Sequence, residues 1–435
     1  MRGSLFIILI ILAGLRTQAQ NIQSLTKAEV LQKAKTDNTQ IKIAEKDVLA
    51  AKAAYQQTAA VFLPQIKASH TGMATTNPLM AFGSKLNQEI LTQADFNPST
   101  LNNPSQIEDF QTKVEVQMPL LNLDGIYQRK AAKSAWQANQ LQQQRTAQYI
   151  SLQVEQAYMQ LQLAYKTKNL IKKSLAVAEE NLRVAEDNQE AGYLQQADVL
   201  MVNMRVTELK NKLQFAKSNI QNASNYLSVL MNEPADIQFK PTDSLEMVQT
   251  LSEVSGNLEN RPDILAMQRA SEAQKQQYKA SKMNFLPRLN AFGSYEWHDD
   301  EIFQAGANGY LFGAELSWNL FEGGKRFGKT KETKARFEKA RLEAEQYKNN
   351  SQLELQKARR QKADIKNQVN LAKMAIDQAK EALRIRSNRF EEGLEKTTEL
   401  LQAEVLYAEK QLEYFQSIYN YNYAAAYLRF LTNNL

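Results

Sequence analysis

Tyr310-Leu311-Phe312-Gly313-Ala314-Glu315-Leu316-Ser317-Trp318-Asn319-Leu320 leads through Phe321-Glu322-Gly323-Gly324 into an unbroken run from Lys329 to Glu392. In the first stretch Tyr310, Phe312, Ala314, Leu316, Trp318 and Leu320 alternate with Gly313, Glu315, Ser317 and Asn319. Period two with one apolar face predicts a strand. The run that follows contains neither Gly nor Pro from end to end. At 1.5 Å per residue such a helix is about 100 Å long. A strand joined to so long a helix is not the pattern of an ordinary globular core, because helices of that length are coiled coils or repeats.

The same grammar occurs twice. Tyr55-Gln56-Gln57 before Phe62-Leu63-Pro64-Gln65-Ile66-Lys67-Ala68 matches Tyr278-Lys279-Ala280 before Phe285-Leu286-Pro287-Arg288-Leu289-Asn290-Ala291, at an offset of 223. Ala191-Gly192 through Val199-Leu200 to Tyr226-Leu227 matches Glu392-Gly393 through Leu400-Leu401 to Tyr427-Leu428, at an offset of 201. The chain is a tandem duplication, shorter by about 20 residues in the middle of the second copy.

Breaker spacing shapes each copy. Ile126 to Ala191 is free of Gly and Pro, then comes Gly192, then a shorter breaker-free run from Tyr193 to Glu233. The second copy repeats this with Lys329 to Glu392, Gly393, and Leu394 to Leu435. Each Gly suits a hairpin turn, since it takes the left-handed conformation that ends a helix. Val199, Val202, Val206, Leu209, Leu213, Ala216 and Ile220 are spaced by three and four, as are Leu401, Val405, Ala408, Leu412, Phe415 and Tyr419. That 3.5-residue period is a coiled-coil seam. The returning helices are short, and helical patterns over Gln40 to Ala60 and Pro262 to Met283 have the missing length. If they stack end to end on the returning helices, a four-ply bundle of even length results.

Composition agrees with long elements. Among 435 residues only 15 are Gly and 9 Pro, and there is no Cys. Disulfides, thiolate metal sites and thiol nucleophiles are thereby excluded. With His70 and His298 the only histidines, and no nucleophile–base or paired-carboxylate constellation, no enzyme, metal or cofactor is expected. The mean hydropathy of −0.51 leaves no room for a bundle of apolar membrane helices. Residues 1–20 read as a secretory signal peptide: Arg2, an apolar core from Phe6 to Leu15, and a small-residue cleavage signal at Thr17-Gln18-Ala19. Its removal leaves a net charge of about +4. Residues 21–232 form the first repeat, 233–259 a linker, and 260–435 the second repeat.

Further strands are expected from Val114, Val116, Met118 and Leu120, from Leu289, Ala291, Gly293, Tyr295 and Trp297, and more weakly from Ile66 to Gly72. Strands of about 9–11 residues, apolar outward and polar inward, suit a transmembrane barrel. Four strands close no barrel, and an open edge is untenable in lipid, where each unpaired amide costs several kcal/mol. The chain must therefore oligomerise, and three copies would give twelve strands about one axis.

With these features assembled, the chain resembles the TolC-like outer membrane efflux proteins over essentially its whole mature length. The motifs are Phe285-Leu286-Pro287 before a strand, Asn319-Leu320-Phe321-Glu322-Gly323-Gly324 after one, and Arg389-Phe390-Glu391-Glu392-Gly393 with Leu400-Leu401 at the hairpin tip. The resemblance implies a homotrimer in the outer membrane of a Gram-negative bacterium, its β-barrel continuing into a periplasmic α-helical tunnel. It implies a channel of a tripartite efflux or type I secretion system, working with a periplasmic adaptor and an inner-membrane pump of the RND or ABC class. It also implies that the tips at Gly192, Gly393, Arg389 and Phe390 meet the adaptor. The first tip, Asn188-Gln189-Glu190-Ala191-Gly192, lacks the Arg–aromatic pair. Acidic side chains just past the second tip ring the periplasmic aperture in this family. The matching residue is Glu399, with Asp198 as its repeat equivalent and Gln402 where a second acid is common. A helix-start carboxylate, favoured by the macrodipole, explains Glu399 and Asp198 equally well.

Other segments fit around this frame. Thr26-Lys27-Ala28-Glu29 is a capping box. The polar stretch Asn77 to Gln111 is expected to be an extracellular surface loop, with Asp299 to Asn308 as its counterpart. His298-Asp299-Asp300-Glu301 reads as a solvated loop tip, and Gly323-Gly324-Lys325 as a strand-to-helix turn. Arg129, Lys130, Lys325 and Arg326 follow strand ends, where the anionic inner-leaflet headgroups of outer-membrane lipid would lie. The basic residues from Lys329 to Arg341 are interrupted by Glu332 and Glu338, so no nucleic acid is expected. A periplasmic coiled-coil adaptor or a structural coiled-coil protein of the envelope is the alternative. An adaptor would carry one hairpin between Gly-rich β domains, and a structural coil would need no amphipathic strands.

Overall fold

A computed structural model describes residues 22–248 and 258–433, so the expected signal peptide at residues 1–20 lies outside the described residues. The chain divides into two compact units. One holds the residues up to Ala44, Gln144–Arg261 and those from Asn349, and the other holds Glu45–Gln143 and Pro262–Lys348.

In the first unit β1 (Ile22–Leu25) precedes α1 (Lys27–Asp37). The Thr26 capping box is formed: Thr26 N donates to Glu29 Oε2 at 2.7 Å, and Glu29 N donates to Thr26 Oγ1 at 3.2 Å. The hairpin helices are α5 (Leu123–Glu190) with α6 (Gln196–Met231), and α8 (Lys325–Glu391) with α9 (Thr397–Leu431). α5 and α8 begin earlier than the breaker spacing suggests, taking in Gly125 and Gly328. One glycine in a long helix costs only about 1 kcal/mol, which the rest of the helix absorbs.

The first seam is buried as expected, at Val202, Val206, Leu209, Ala216 and Ile220. The second is not. Leu401, Val405 and Ala408 are half-buried, and Leu412 is 41% exposed. An apolar seam left open in one chain needs a surface beyond that chain. Two bonds join the residues that precede the short helices to the ends of the returning ones. Asn38 Nδ2, at the start of α2 (Thr39–Gln57), donates to the Leu230 carbonyl near the end of α6 at 2.8 Å. Asn433, past the end of α9, donates likewise to the Asn260 carbonyl at 3.3 Å.

The linker carries an element the sequence reading missed. β4 (Gln238–Pro241) pairs in parallel with β1, and Phe239 is buried with Tyr158, Ile150 and Leu227. Leu245 packs with Val369, Ile418 and Tyr421, and Asn422 fastens the chain by accepting from Val248 N and donating to the Glu246 carbonyl.

The second unit is built on an antiparallel sheet of β2 (Gln65–Thr75), β3 (Ile107–Leu121), β5 (Arg288–Asp299) and β6 (Ala307–Ser317), in the order β2-β3-β5-β6. All four expected strands are present, although β6 ends before Trp318 and Leu320. The helix that leads into β5 is α7 (Pro262–Met283). Gly323 and Gly324 make the strand-to-helix turn at φ +58° and +83°. The register places Gln65, Lys67, Ser69, Gln111, Lys113, Glu115, Gln117, Asn290, Ser294, Glu296, Glu315 and Ser317 on one face. Ile66, Val114, Val116, Met118, Leu289, Tyr295, Trp297, Tyr310, Phe312 and Leu316 are on the other.

Two expectations for the strand ends are corrected. Asn77 to Gln111 is not a bare loop: it forms α3 (Pro78–Asn87), a 3₁₀ turn over Gln93–Phe96 and α4 (Pro98–Asn102) before β3 begins at Ile107. Pro78 and Pro98, which suggested a loop, sit in the first turns of helices, where their missing N–H is harmless. Asn77 and Asn97 accept from the first backbone amides of those helices. His298 is not solvated either. It is 7% exposed and its Nδ1 lies 3.1 Å from Oδ1 of buried Asp109.

Candidate functional site

The hairpin tips are built by identical backbone. Gly192 and Gly393 have φ +80° and +71°, with open space where a Cβ would stand. In the first tip Gly192 N donates to the Gln189 carbonyl at 2.9 Å and Tyr193 N to the Asn188 carbonyl at 2.8 Å. In the second, Gly393 N donates to the Phe390 carbonyl at 2.9 Å and Leu394 N to the Arg389 carbonyl at 2.8 Å. These are helix-terminating bonds that need a left-handed residue, which is why both copies place Gly there.

The side chains differ. Arg389 donates from Nε to Glu395 Oε2 at 3.0 Å and from Nη2 to the Leu394 carbonyl at 3.2 Å. Arg386 donates to Glu395 at 3.2 Å and to Glu399 at 2.6 Å. Phe390 is 8% exposed, so it fills the inside of the turn rather than presenting itself at the surface. Glu399 thus sits in the first turn of α9 with its carboxylate held across the hairpin by Arg386. Asp198 has the same place in α6, where the residue matching Arg386 is Ala185, fully buried. Gln402 is exposed, about one turn beyond Glu399. The sequence reading brought Glu399 and Arg389 to the tip but missed Arg386 and Glu395. Counting outward from Gly393 would have found Arg386 and Glu399, seven residues before and six after, because positions at similar distances on either side of a hairpin turn lie near each other.

A further carboxylate lies deeper. Glu404 of α9 accepts from Asn181 of α5, joining the two hairpins. Burial pushes the Glu404 carboxyl above its ordinary value, and the Arg205 charge and the Asn181 bond only partly oppose this. Arg205 is itself 8% exposed and paired with Glu208 at 2.7 Å.

The sheet, in the other unit, is a separate candidate surface. Its polar face carries Lys113 bonded to Glu296 at 2.8 Å, and Gln111 bonded to the same carboxylate at 2.8 Å. Its apolar face carries exposed Ile66, Tyr310, Phe312 and Leu316. An exposed apolar face of this size on a sheet is a contact surface for lipid or protein. At the helix ends of the strands, Arg129 stacks on Tyr55 at 4.4 Å and bonds its hydroxyl at 3.1 Å. Arg326 donates to the Asn284 carbonyl at 3.1 Å. Two of the four cations expected to meet headgroups therefore also brace the helices below the sheet.

Known proteins agree with this architecture. Residues 30–233 and 254–434 match the family described as outer membrane efflux protein. The fold is similar to that of CusC, from crystal structures of its transmembrane channel formation, at 16% identity, TM-score 0.81, and 94% of this chain against 92% of that one. It is similar to the Campylobacter jejuni CmeC outer membrane channel at 18% identity, TM-score 0.80, 100% and 93%. It is also similar to the outer membrane protein VceC of Vibrio cholerae at 18% identity, TM-score 0.79, 93% and 96%. A comparison with curated proteins gives no match. The four antiparallel strands and the long hairpin helices that the expected fold class requires of each chain are present among the described residues. The duplicated hairpins, the two-faced sheet and the family match lead to one conclusion: the chain belongs to the outer membrane efflux protein family, and it is a channel of a tripartite efflux system in the outer membrane of a Gram-negative bacterium, with a large helical periplasmic portion.

Proposed function

We propose that three copies make one conduit, opening at the hairpin tips, and that a periplasmic adaptor seats on those tips to couple it to an inner-membrane pump. The observation that carries this reading is the open sheet. β2 and β6 are its edges, and each presents a row of unpaired backbone groups. In lipid those groups must pair, and β6 of one copy with β2 of the next is the pairing that closes a ring. The open second seam, with Leu412 exposed, and the exposed Leu371 and Met374 of α8 give the helices a matching need for neighbours. The apolar sheet face then meets outer-membrane lipid and the polar face lines the passage.

At the periplasmic end, Glu399 and Asp198 are the acidic groups of the aperture, with Gln402 neutral beside them. Arg386 compensates part of the Glu399 charge, so this aperture attracts cations less strongly than a bare ring of carboxylates. Gly192, Gly393, Arg389 and Phe390 shape the docking tips: the glycines make the turn, Arg389 locks it, and Phe390 packs it. The signal peptide at residues 1–20 delivers the chain across the inner membrane. Mass measurement of the protein in detergent tests the assembly. Three chains are expected, and a stable monomer with full β content would refute it.

A further inference from the structure

The helix α3 and its loop connect β2 to β3. They lie at the strand ends away from the long helices, since β3 and β6 run into α5 and α8 at their opposite ends. The face α3 turns to the sheet is Ala81, Ser84 and Gln88. Gln88 Nε2 donates to Asp109 Oδ1 at 3.0 Å and to the Glu108 carbonyl at 2.8 Å, and Ser84 Oγ lies 3.5 Å from Asp109 Oδ2. Asp109 and His298 belong to the polar face of the sheet by register, two residues beyond Gln111 and Glu296 respectively. The helix is therefore tied to the inner face. Lys85 holds the rest of the loop to it through Asp95 at 2.7 Å, and Phe82 packs edge-on against Phe96.

The other side of α3 has no partner among the described residues. At 100° per residue, Leu79 and Leu86 point roughly opposite the Ser84–Gln88 face. They are 82% and 57% exposed. Gly83 lies between them, with no atom within 4 Å of where its Cβ would be. A leucine stripe facing the middle of a polar passage is costly unless something apolar covers it.

We propose that three copies of α3 meet on the threefold axis and close the outer mouth of the barrel with an apolar plug of Leu79, Gly83 and Leu86. This rests on the trimer proposed above. The occupant of each stripe is a second copy of the chain, because the closure that completes the sheet repeats the inward helix about the same axis. The dimensions agree. Twelve strands about 4.8 Å apart and tilted about 40° enclose a radius of about 12 Å. A helix about 10–12 Å across, laid on that wall, reaches the axis. Gly83 lets the backbones approach closely, and Gln88, Ser84, Asp109 and His298 are the tether that keeps the plug from swinging out.

The absence of native cysteine makes the test direct. Leu86→Cys protein is purified, its trimer mass is verified, and it is treated with a mild oxidant. Disulfide-linked pairs of chains on a non-reducing gel are the expected result, since the exposed Leu86 can be replaced without disturbing the fold. In parallel, the Leu79→Asp, Leu86→Asp double variant should raise single-channel conductance about two-fold or more by repelling the three helices. Verified trimers that yield only unlinked chains, or whose conductance the double variant leaves unchanged, overturn the plug and leave the trimer standing. A protein that gives no trimer overturns both.

Discussion

The two hairpin tips share a backbone and differ in how it is fastened. Equivalent by duplication, Gly192 and Gly393 close the same turn with the same pair of backbone bonds. Around Gly393, Arg386 and Arg389 bind Glu395, Glu399 and the Leu394 carbonyl, and Phe390 is buried. Around Gly192 the corresponding residues are Ala185, Asn188 and Gln189, and Tyr193 stands 82% exposed. Duplication kept the turn because its geometry needs Gly, while the clamp was free to differ between the copies. The second tip thus carries a side-chain clamp of ion pairs, to which the first has no counterpart among the described residues.

The largest effect should come from breaking the shared part. Valine at Gly393 or Gly192 must adopt a left-handed conformation, at a cost of roughly 1–2 kcal/mol or more. At Gly192 the lightly held tip can shift to relieve it, whereas at Gly393 the clamp resists. Gly393→Val should abolish most export while trimers persist in the membrane, and Gly192→Val should impair it less. Efflux measured beside trimer abundance checks this, and loss of the trimer itself would make Gly393 a folding residue instead.

Charge reversal comes next. Glu399→Lys removes the partner of Arg386 and adds a cation at the aperture, so cation preference and divalent-cation block in single-channel recordings should both fall. Asp198→Lys should act in the same direction. Unchanged selectivity, with a loss of only about 0.3–1 kcal/mol in stability, would leave both acids as helix-start residues and nothing more.

Removing the clamp sharpens the contrast. Exposed ion pairs contribute about 0–1 kcal/mol each, so Arg386→Ala with Arg389→Ala should barely change global stability. Hydrogen exchange should nevertheless speed up over residues 386–400 until it matches residues 185–199, which should already exchange faster in the parent. Equal rates at both tips of the parent protein would show that the clamp stiffens nothing.

The smallest effect concerns Glu404, whose first-copy counterpart is the exposed Asn203. The folded chain raises the Glu404 value by burial. Its contribution to stability is therefore fully present below the unfolded value, about 4.3, and is lost as pH rises through the higher folded value. Glu404→Gln can still accept from Asn181 and carries no charge. The melting temperature of the variant should equal that of the parent in acid and exceed it slightly near neutrality. A constant difference across that range would refute the assignment.

Much of this molecule was legible in the chain alone, and the reasons are local. Long stretches without Gly or Pro can only be long helices, Gly192 and Gly393 can only end them, and the alternation in Tyr310 to Ser317 has no helical reading. The capping box at Thr26 and Glu29 likewise needs nothing beyond its own four residues. Duplication doubled every such signal. What tertiary structure decided was contact between distant segments. β1 and β4 are four residues each, too short to show a period, and exist only because each pairs with the other. α3 and α4 looked like loop because Pro and Asn are read as breakers until the caps they form are seen. His298 became a buried tether only when β3 brought Asp109 beside it and α3 covered both. The grip of Arg386 on Glu399 likewise needs the turn between them to be closed. Sequence determines the period and the punctuation, because these act within a few residues. Which polar group answers which carboxylate is settled by packing, because the partners are brought together only when the whole chain has folded.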